Sequence, residues 1–139
     1  MLSKFKYITM ASICSIALLF SPLSNRAFAT SGWQKVGFDQ IILDGKNQVK
    51  SIHVDSHGGN FKAAFYGDAG YLSVELWEYD PDNPDDLVRS ARTVYGHGGE
   101  LVWENISDAL DGSDNTAEFY LKITPQNADY GSLNVTFYD

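Results

Sequence analysis

Thr116-Ala117-Glu118-Phe119-Tyr120-Leu121-Lys122-Ile123 decides the fold class, because its apolar residues recur at every second position. Side chains along an extended chain point alternately to opposite faces, so Ala117, Phe119, Leu121 and Ile123 share one face while Glu118, Tyr120 and Lys122 share the other. A helix would spread these residues around its circumference; a half-buried strand sorts them. The same period runs through Leu72, Val74 and Leu76, set against Ser73, Glu75 and Trp77. It returns in Leu133, Val135 and Phe137, set against Asn134, Thr136 and Tyr138.

No stretch after residue 29 carries an apolar stripe at helical spacing through three turns. Further strands are expected at Trp33 to Phe38, Gln40 to Leu43, Val49 to Val54, Phe61 to Tyr66, Val88 to Tyr95 and Leu101 to Glu104, where β-branched and aromatic residues gather. The strand through Leu72 extends from Tyr71 to Tyr79. Between the strands lie turn signals: Asp44-Gly45, Gly58-Gly59, Gly67-Asp68, the run Asp80 to Asp86, Gly98-Gly99, Asp111-Gly112 and Pro125 to Gly131. A short helical turn is expected at Ile106 to Leu110, with Ser107 as its cap. The fold class is therefore all-β, an antiparallel sandwich or jelly roll of eight or nine strands, with the last strand at a sheet edge.

The segment 1–29 has a different character. Lys4 and Lys6 precede an apolar run from Ile8 to Phe20, and Ala27-Phe28-Ala29 closes the segment with small residues flanking an aromatic. That is the pattern of a secretory signal peptide, and the run is shorter than the roughly 20 residues a spanning helix needs. The expected organisation is a leader at 1–29 and a single domain at 30–139, exported from a bacterium-like cell, with no integral membrane segment in the mature chain. The only cysteine, Cys14, lies in the leader, so the mature domain must hold together without a disulfide framework.

Loss of Lys4, Lys6 and Arg26 with the leader leaves seven basic against 18 acidic side chains, shifting the formal charge from −8 to −11. Phosphate backbones bind where Lys and Arg neutralise them, so nucleic acid is excluded as a partner class. An anionic membrane surface is disfavoured for the same reason, whereas cationic partners and divalent metals are favoured.

The second half resembles a known family. Tyr71 to Asp80, the acidic loop to Asp86 with Leu87-Val88, Ala117 to Thr124, and Gly131 to Tyr138 are similar to bacterial pre-peptidase C-terminal domains over residues 70–138. Those domains are small jelly rolls appended to exported hydrolases. The resemblance implies an accessory or binding role, sometimes with calcium. The sequence departs from the pattern where Val74-Glu75 stands in place of the usual paired Asp, and no hydrolase precedes the domain.

Two groups of residues carry candidate chemistry. The loop Asp80-Pro81-Asp82-Asn83-Pro84-Asp85-Asp86 packs four carboxylates and an amide into seven residues, the oxygen-rich composition that Ca²⁺ requires. Asp80, Asp82, Asn83, Asp85 and Asp86 are its candidate ligands. The competing role is a solvated turn shaped by its prolines. Asp108 to Asn115 is a second acidic turn, without the spacing of an EF-hand loop. His53, Asp55 and His57 occupy alternate positions on one face, as a transition-metal site wants, with His97 the sole further imidazole.

Aromatic residues make the second group. Trp77, Tyr79 and Tyr95 lie on strands flanking the acidic loop, where flat rings can stack on sugars while neighbouring polar groups bind hydroxyls. Large aromatics are also the usual material of cores, which is the competing role for Trp33, Trp77 and Trp103.

No Gly-x-Ser-x-Gly elbow is present, and the acidic residues show no spacing that singles out a catalytic pair. The expected function is a secreted, non-enzymatic binding module or accessory protein engaging an extracellular polymer, glycan or secreted protein. Two other classes remain: a secreted effector, either a bacteriocin-like toxin or a protease inhibitor, and a small metal-dependent hydrolase.

Overall fold

The computed structural model describes residues 32–110, 115–127 and 130–139. The leader, the Asp111-Gly112 turn and half of the second acidic turn lie outside the described residues. The described residues form nine strands: β1 (Lys35–Asp44), β2 (Val49–Lys50), β3 (Val54–Ser56), β4 (Phe61–Gly67), β5 (Tyr71–Glu78), β6 (Asp86–Tyr95), β7 (Glu100–Trp103), β8 (Ala117–Pro125) and β9 (Tyr130–Tyr138). One sheet has the order β1-β9-β4-β7; the other has β2-β8-β5-β6, with β3 continuing the β2 edge along β8. All pairings are antiparallel.

The alternation sorts the faces as expected. Leu72, Val74, Leu76, Phe119, Leu121, Ile123, Leu133, Val135 and Phe137 are all fully buried between the sheets. Phe61 on β4 joins the two layers, its ring 5.3 Å from Phe119 of the opposite sheet and 6.1 Å from both Trp103 and Phe137 of its own. Burying a side chain of this size contributes about 1.5–3 kcal/mol. Within this core the Trp103 indole N–H has no acceptor among the described residues.

Several boundaries differ from the sequence expectation, each for a local reason. Trp33 to Phe38 and Gln40 to Leu43 merge into β1, because β9 pairs along its whole length apart from an irregularity at Lys35/Gly37. Val49 to Val54 instead splits into β2 and β3. There the Ser51 side chain replaces a ladder carbonyl, its Oγ accepting from Leu121 N–H at 2.9 Å while Ser51 N–H donates to Leu121 C=O at 3.0 Å. The helical turn is a 3₁₀ segment, Ser107–Ala109, capped by Ile106 rather than by Ser107. Ser107 Oγ accepts from Gly59 N–H at 2.9 Å, tying this turn to the entry of β4.

The last strand corrects the edge expectation. β9 lies between β1 and β4, and the edges of its sheet are β1 and β7. Side chains stitch the two open sides of the sandwich. On one side Ile52 N–H donates to Asp39 Oδ2 at 2.8 Å, and Gly37 lets Val54 come in so close that a Cβ there would stand 2.3 Å from Val54 Cγ1. On the other, Arg92 Nη1 donates to Val102 C=O at 2.7 Å, and Arg89 Nη2 donates to Asn105 C=O at 3.0 Å while pairing with Asp108 at 3.1 Å.

Two turns use one device, Asp-x-x-Asn. Asp44 Oδ1 accepts from the N–H groups of Lys46 and Asn47, and Asn47 Nδ2 closes on Asp44 Oδ2. Asp80 does the same with Asp82 N–H, Asn83 N–H and Asn83 Nδ2. The backbone donors of Asn47 and Lys46 hold the Asp44 carboxyl at about 2 against an ordinary 3.8. A carboxyl lowered on folding stabilises the fold fully above its unfolded value and loses that contribution as pH falls through its folded value. The melting temperature is therefore expected to stay level down to about pH 4 and to drop towards pH 2, with Asp44→Asn flattening part of that drop in acid melts. An unchanged acid limb in the variant would separate the turn from acid stability.

Candidate functional site

The outward row of β5 carries Tyr71, Ser73, Glu75 and Trp77, and its neighbour β8 presents Thr124, Lys122 and Tyr120 opposite Ser73, Glu75 and Trp77. At one end of this face, Trp77 is half-buried. Its ring lies under Lys122 Nζ, 3.1 Å from the centroid, and its Nε1–H donates to Glu75 Oε2 at 2.9 Å. Tyr79 stacks on His53 with centroids 4.3 Å apart. Both rings are thus engaged by the protein's own side chains.

Tyr120 is outward by alternation and yet fully buried. Its hydroxyl donates to Asp85 Oδ2 at 2.6 Å, Lys50 Nζ stands 4.8 Å from its ring centroid, and His53 packs against it at 5.2 Å. Burial, with the Asp85 carboxylate beside it, pushes the Tyr120 phenol well above its ordinary range. In turn the Tyr120 hydroxyl, with Lys50 nearby, holds Asp85 below the usual carboxylate range. The acidic loop is therefore pinned down on the sheet as a lid over Tyr120.

The five candidate calcium ligands have separate tasks in that loop. Asp80 and Asn83 build the turn, Asp85 holds Tyr120 and Lys50, and Asp86 opens β6; Asp82 is exposed. Beside the loop lies a cleft of about 590 Å³ lined by Asp55, His57, Glu78, Asp80, Asp82 and Glu118, among others. Among the described residues, no three His, Cys, Asp or Glu side chains come together closely enough to hold a metal ion. His57 and Asp55 border this cleft while His53 is stacked on Tyr79, and His97 sits at the far end of the sandwich.

Tyr95 is also at that far end. It pairs across from Tyr71, six residues along β5 from Trp77, a separation of roughly 20 Å at strand rise. The fold therefore keeps Trp77 and Tyr79 together and places Tyr95 apart from them.

Around Tyr95 a set of rings assembles that the sequence spacing did not single out. Tyr66 stacks on His97 at 5.4 Å, His97 meets Tyr95 edge-on at 6.3 Å, and Tyr95 lies 5.3 Å from Tyr71. Tyr66, Tyr71 and Tyr95 are 65%, 52% and 49% exposed, so this is a surface and not a core cluster. His97 Nδ1 donates to Gly67 C=O at 2.6 Å. A carbonyl can only accept, so Nδ1 supplies the proton of this bond and Nε2 is the ring nitrogen left to meet a further partner.

A signal for this array exists in the sequence: the dipeptide Tyr-Gly occurs at Tyr66-Gly67, Tyr95-Gly96 and Tyr130-Gly131. Each glycine marks tight or unusual backbone. A Cβ on Gly67 would meet Ser132 C=O at 2.1 Å and one on Gly96 would meet Ala69 Cβ at 2.8 Å, while Gly131 has φ +151. The three tyrosines sit at the rim where the chain turns, and Tyr130 is 68% exposed there.

The outer face of the β1-β9-β4-β7 sheet carries a second exposed row that includes Trp33 and Phe38. Lys62 Nζ spans the Trp33 and Tyr138 rings, at 5.2 and 4.5 Å, and Lys35 covers Phe38 at 5.0 Å. Of the three tryptophans, only Trp103 is a core residue; Trp33 is exposed and Trp77 is partly covered. Among the described residues, no helix is long and apolar enough to cross a membrane.

A family model described as the YndA coiled coil domain matches residues 35–137, from the start of β1 to the penultimate residue of β9. No curated protein and no solved structure matches the chain. The coil of that description has no counterpart among the described residues, whose one helical segment is Ser107–Ala109.

Proposed function

Starting from a chain that belongs to the YndA coiled coil domain family and folds as two stacked β-sheets, we propose that it is a secreted, non-enzymatic binding module. It engages an extracellular polymer or glycan through the ring array Tyr66–His97–Tyr95–Tyr71. The observation that carries this reading is the array itself: four contiguous rings at the surface, three of them tyrosines about half or more exposed.

Exposed aromatic surface costs solubility and contributes nothing to a core, so a contiguous patch of it marks an interaction site. Tyrosine suits the task because its ring offers apolar contact while its hydroxyl stays hydrogen-bonded to water or ligand. The Nε2 of His97 adds a directional group for a ligand hydroxyl. The leader pattern at 1–29 supports export, and the acidic surface supports a partner that is not a polyanion.

The test is retention on insoluble bacterial cell-wall polysaccharide by the mature protein and by the double variant Tyr66→Ala/Tyr95→Ala. An aromatic contact is worth about 0.5–1.5 kcal/mol beyond its buried area, so losing two weakens binding by roughly tenfold to a hundredfold. The melting temperature should stay within a few degrees, since neither ring is in the core. Equal retention by both proteins would overturn the assignment of the array.

A further inference from the structure

Neighbouring ring planes of the array differ in orientation. Tyr66 and His97 are 27° apart, His97 and Tyr95 are 69° apart, and Tyr95 and Tyr71 are 51° apart. The path they trace is also bent. It begins on the outer face of one sheet at Tyr66 of β4, crosses the end of the sandwich at His97, and finishes on the other sheet at Tyr95 of β6 and Tyr71 of β5.

From this geometry we infer that the partner is a single flexible chain of uncharged sugar rings and not the flat face of a packed, crystalline polymer. This rests on the binding reading above and specifies its ligand. A flat face can lie against several rings only if those rings are coplanar, and none of these neighbours is: Tyr66 and His97 are stacked face to face, while the other two pairs are inclined at 69° and 51°. A single chain can bend at each glycosidic link and offer a successive ring to each aromatic in turn. Stacking on apolar ring faces, with hydroxyls at the edges, is what the array provides: three phenol hydroxyls, the His97 Nε2, and the nearby Gln126–Thr93 pair, whose Nε2 to Oγ1 distance is 3.3 Å.

Charge narrows the class further. A formal net charge of −8, and −11 without the leader, repels a polyanionic chain. Among the described residues, the Lys side chains that stand over rings do so at Phe38, Tyr120, Trp33, Tyr138 and Trp77, and none at the four rings of the array. An uncharged chain meets neither penalty nor need for a counter-charge.

The experiment compares two forms of polymer with the mature protein. Native gel electrophoresis is run through soluble uncharged chains: hydroxyethylcellulose, galactomannan and soluble starch. Depletion from solution is measured with microcrystalline cellulose and crystalline chitin. The expected result is retardation by at least one soluble chain, lost in Tyr66→Ala/Tyr95→Ala, with depletion by the crystalline powders at least tenfold weaker. Depletion by a crystalline powder that disappears in the double variant, without retardation by any soluble chain, would leave the binding module standing and overturn the single-chain inference. Absence of retardation and depletion alike, together with equal cell-wall retention by both proteins, would overturn both.

Discussion

Phe61→Ala is expected to lose about 3–5 kcal/mol of stability, the usual cost of removing a large ring from a packed core. Phe61 is fully buried and joins rings of both sheets within the core, with Phe119 at 5.3 Å across the interface and Trp103 and Phe137 at 6.1 Å within its own sheet. The surrounding groups belong to paired strands and cannot collapse into the space without breaking register. A domain of this size has a total stability of roughly 5–15 kcal/mol, so the variant approaches the limit of folding. Urea unfolding followed by tryptophan fluorescence reads the effect as a lower midpoint with an unchanged slope. A loss below about 1 kcal/mol would mean that the two sheets are not joined through this ring.

Gly67→Ala is expected to be nearly as damaging, although it adds one methyl group. A Cβ at Gly67 would stand 2.1 Å from the Ser132 carbonyl oxygen and 3.0 Å from Leu133 Cα. Both are backbone atoms of β9, the strand that pairs with β4 here, so no side chain can move aside. Relief requires β4 and β9 to part at their ends, costing about 3 kcal/mol, at the upper end of overpacking penalties, or roughly 10–20 °C in melting temperature. Gly59→Ala is the instructive comparison. Gly59 has φ +84 and open space around its Cβ position, so the variant bears only left-handed backbone strain of about 1 kcal/mol. Thermal melts in which Gly67→Ala unfolds no earlier than Gly59→Ala would contradict the close approach of β4 and β9.

These two positions also mark what was legible in the sequence. The inward rows of β5, β8 and β9 could be read from alternation, because burial on one face of a strand imposes period two on the residue types. The same alternation places Tyr120 outward, correctly as to face, and cannot reveal that Lys50, His53 and Asp85 arrive from distant segments to cover it. The central position of β9 was hidden for a related reason: alternation assigns faces but not neighbours, and a terminal strand gives no local sign of which partners flank it. Ser51 broke a strand that reads as continuous from Val49 to Val54, since a serine hydroxyl substituting for a ladder carbonyl has no signature in hydrophobic pattern.

The candidate site was legible in kind and only partly in place. Tyr95 was found by its strand; Tyr66, Tyr71 and His97 were not grouped with it, because they come together through the β5–β6 register and the turn at Gly96 to Gly99. The acidic loop drew attention by composition. Its hydrogen bonds show where much of that composition is used: Asp80 organises the turn, and Asp85 grips Tyr120 and Lys50.

The stitched sides of the sandwich have a consequence for how such a protein behaves when crowded. Unprotected strand borders template further strands and lead to fibrils. Here the carbonyls of Val102 and Asn105 already accept from Arg92 and Arg89, and the Ile52 amide already donates to Asp39. An incoming strand would first have to evict a guanidinium or a carboxylate anchored in the opposite layer. These few side chains act as gatekeepers against templated aggregation, so that concentrating the protein at a surface does not by itself knit its copies together.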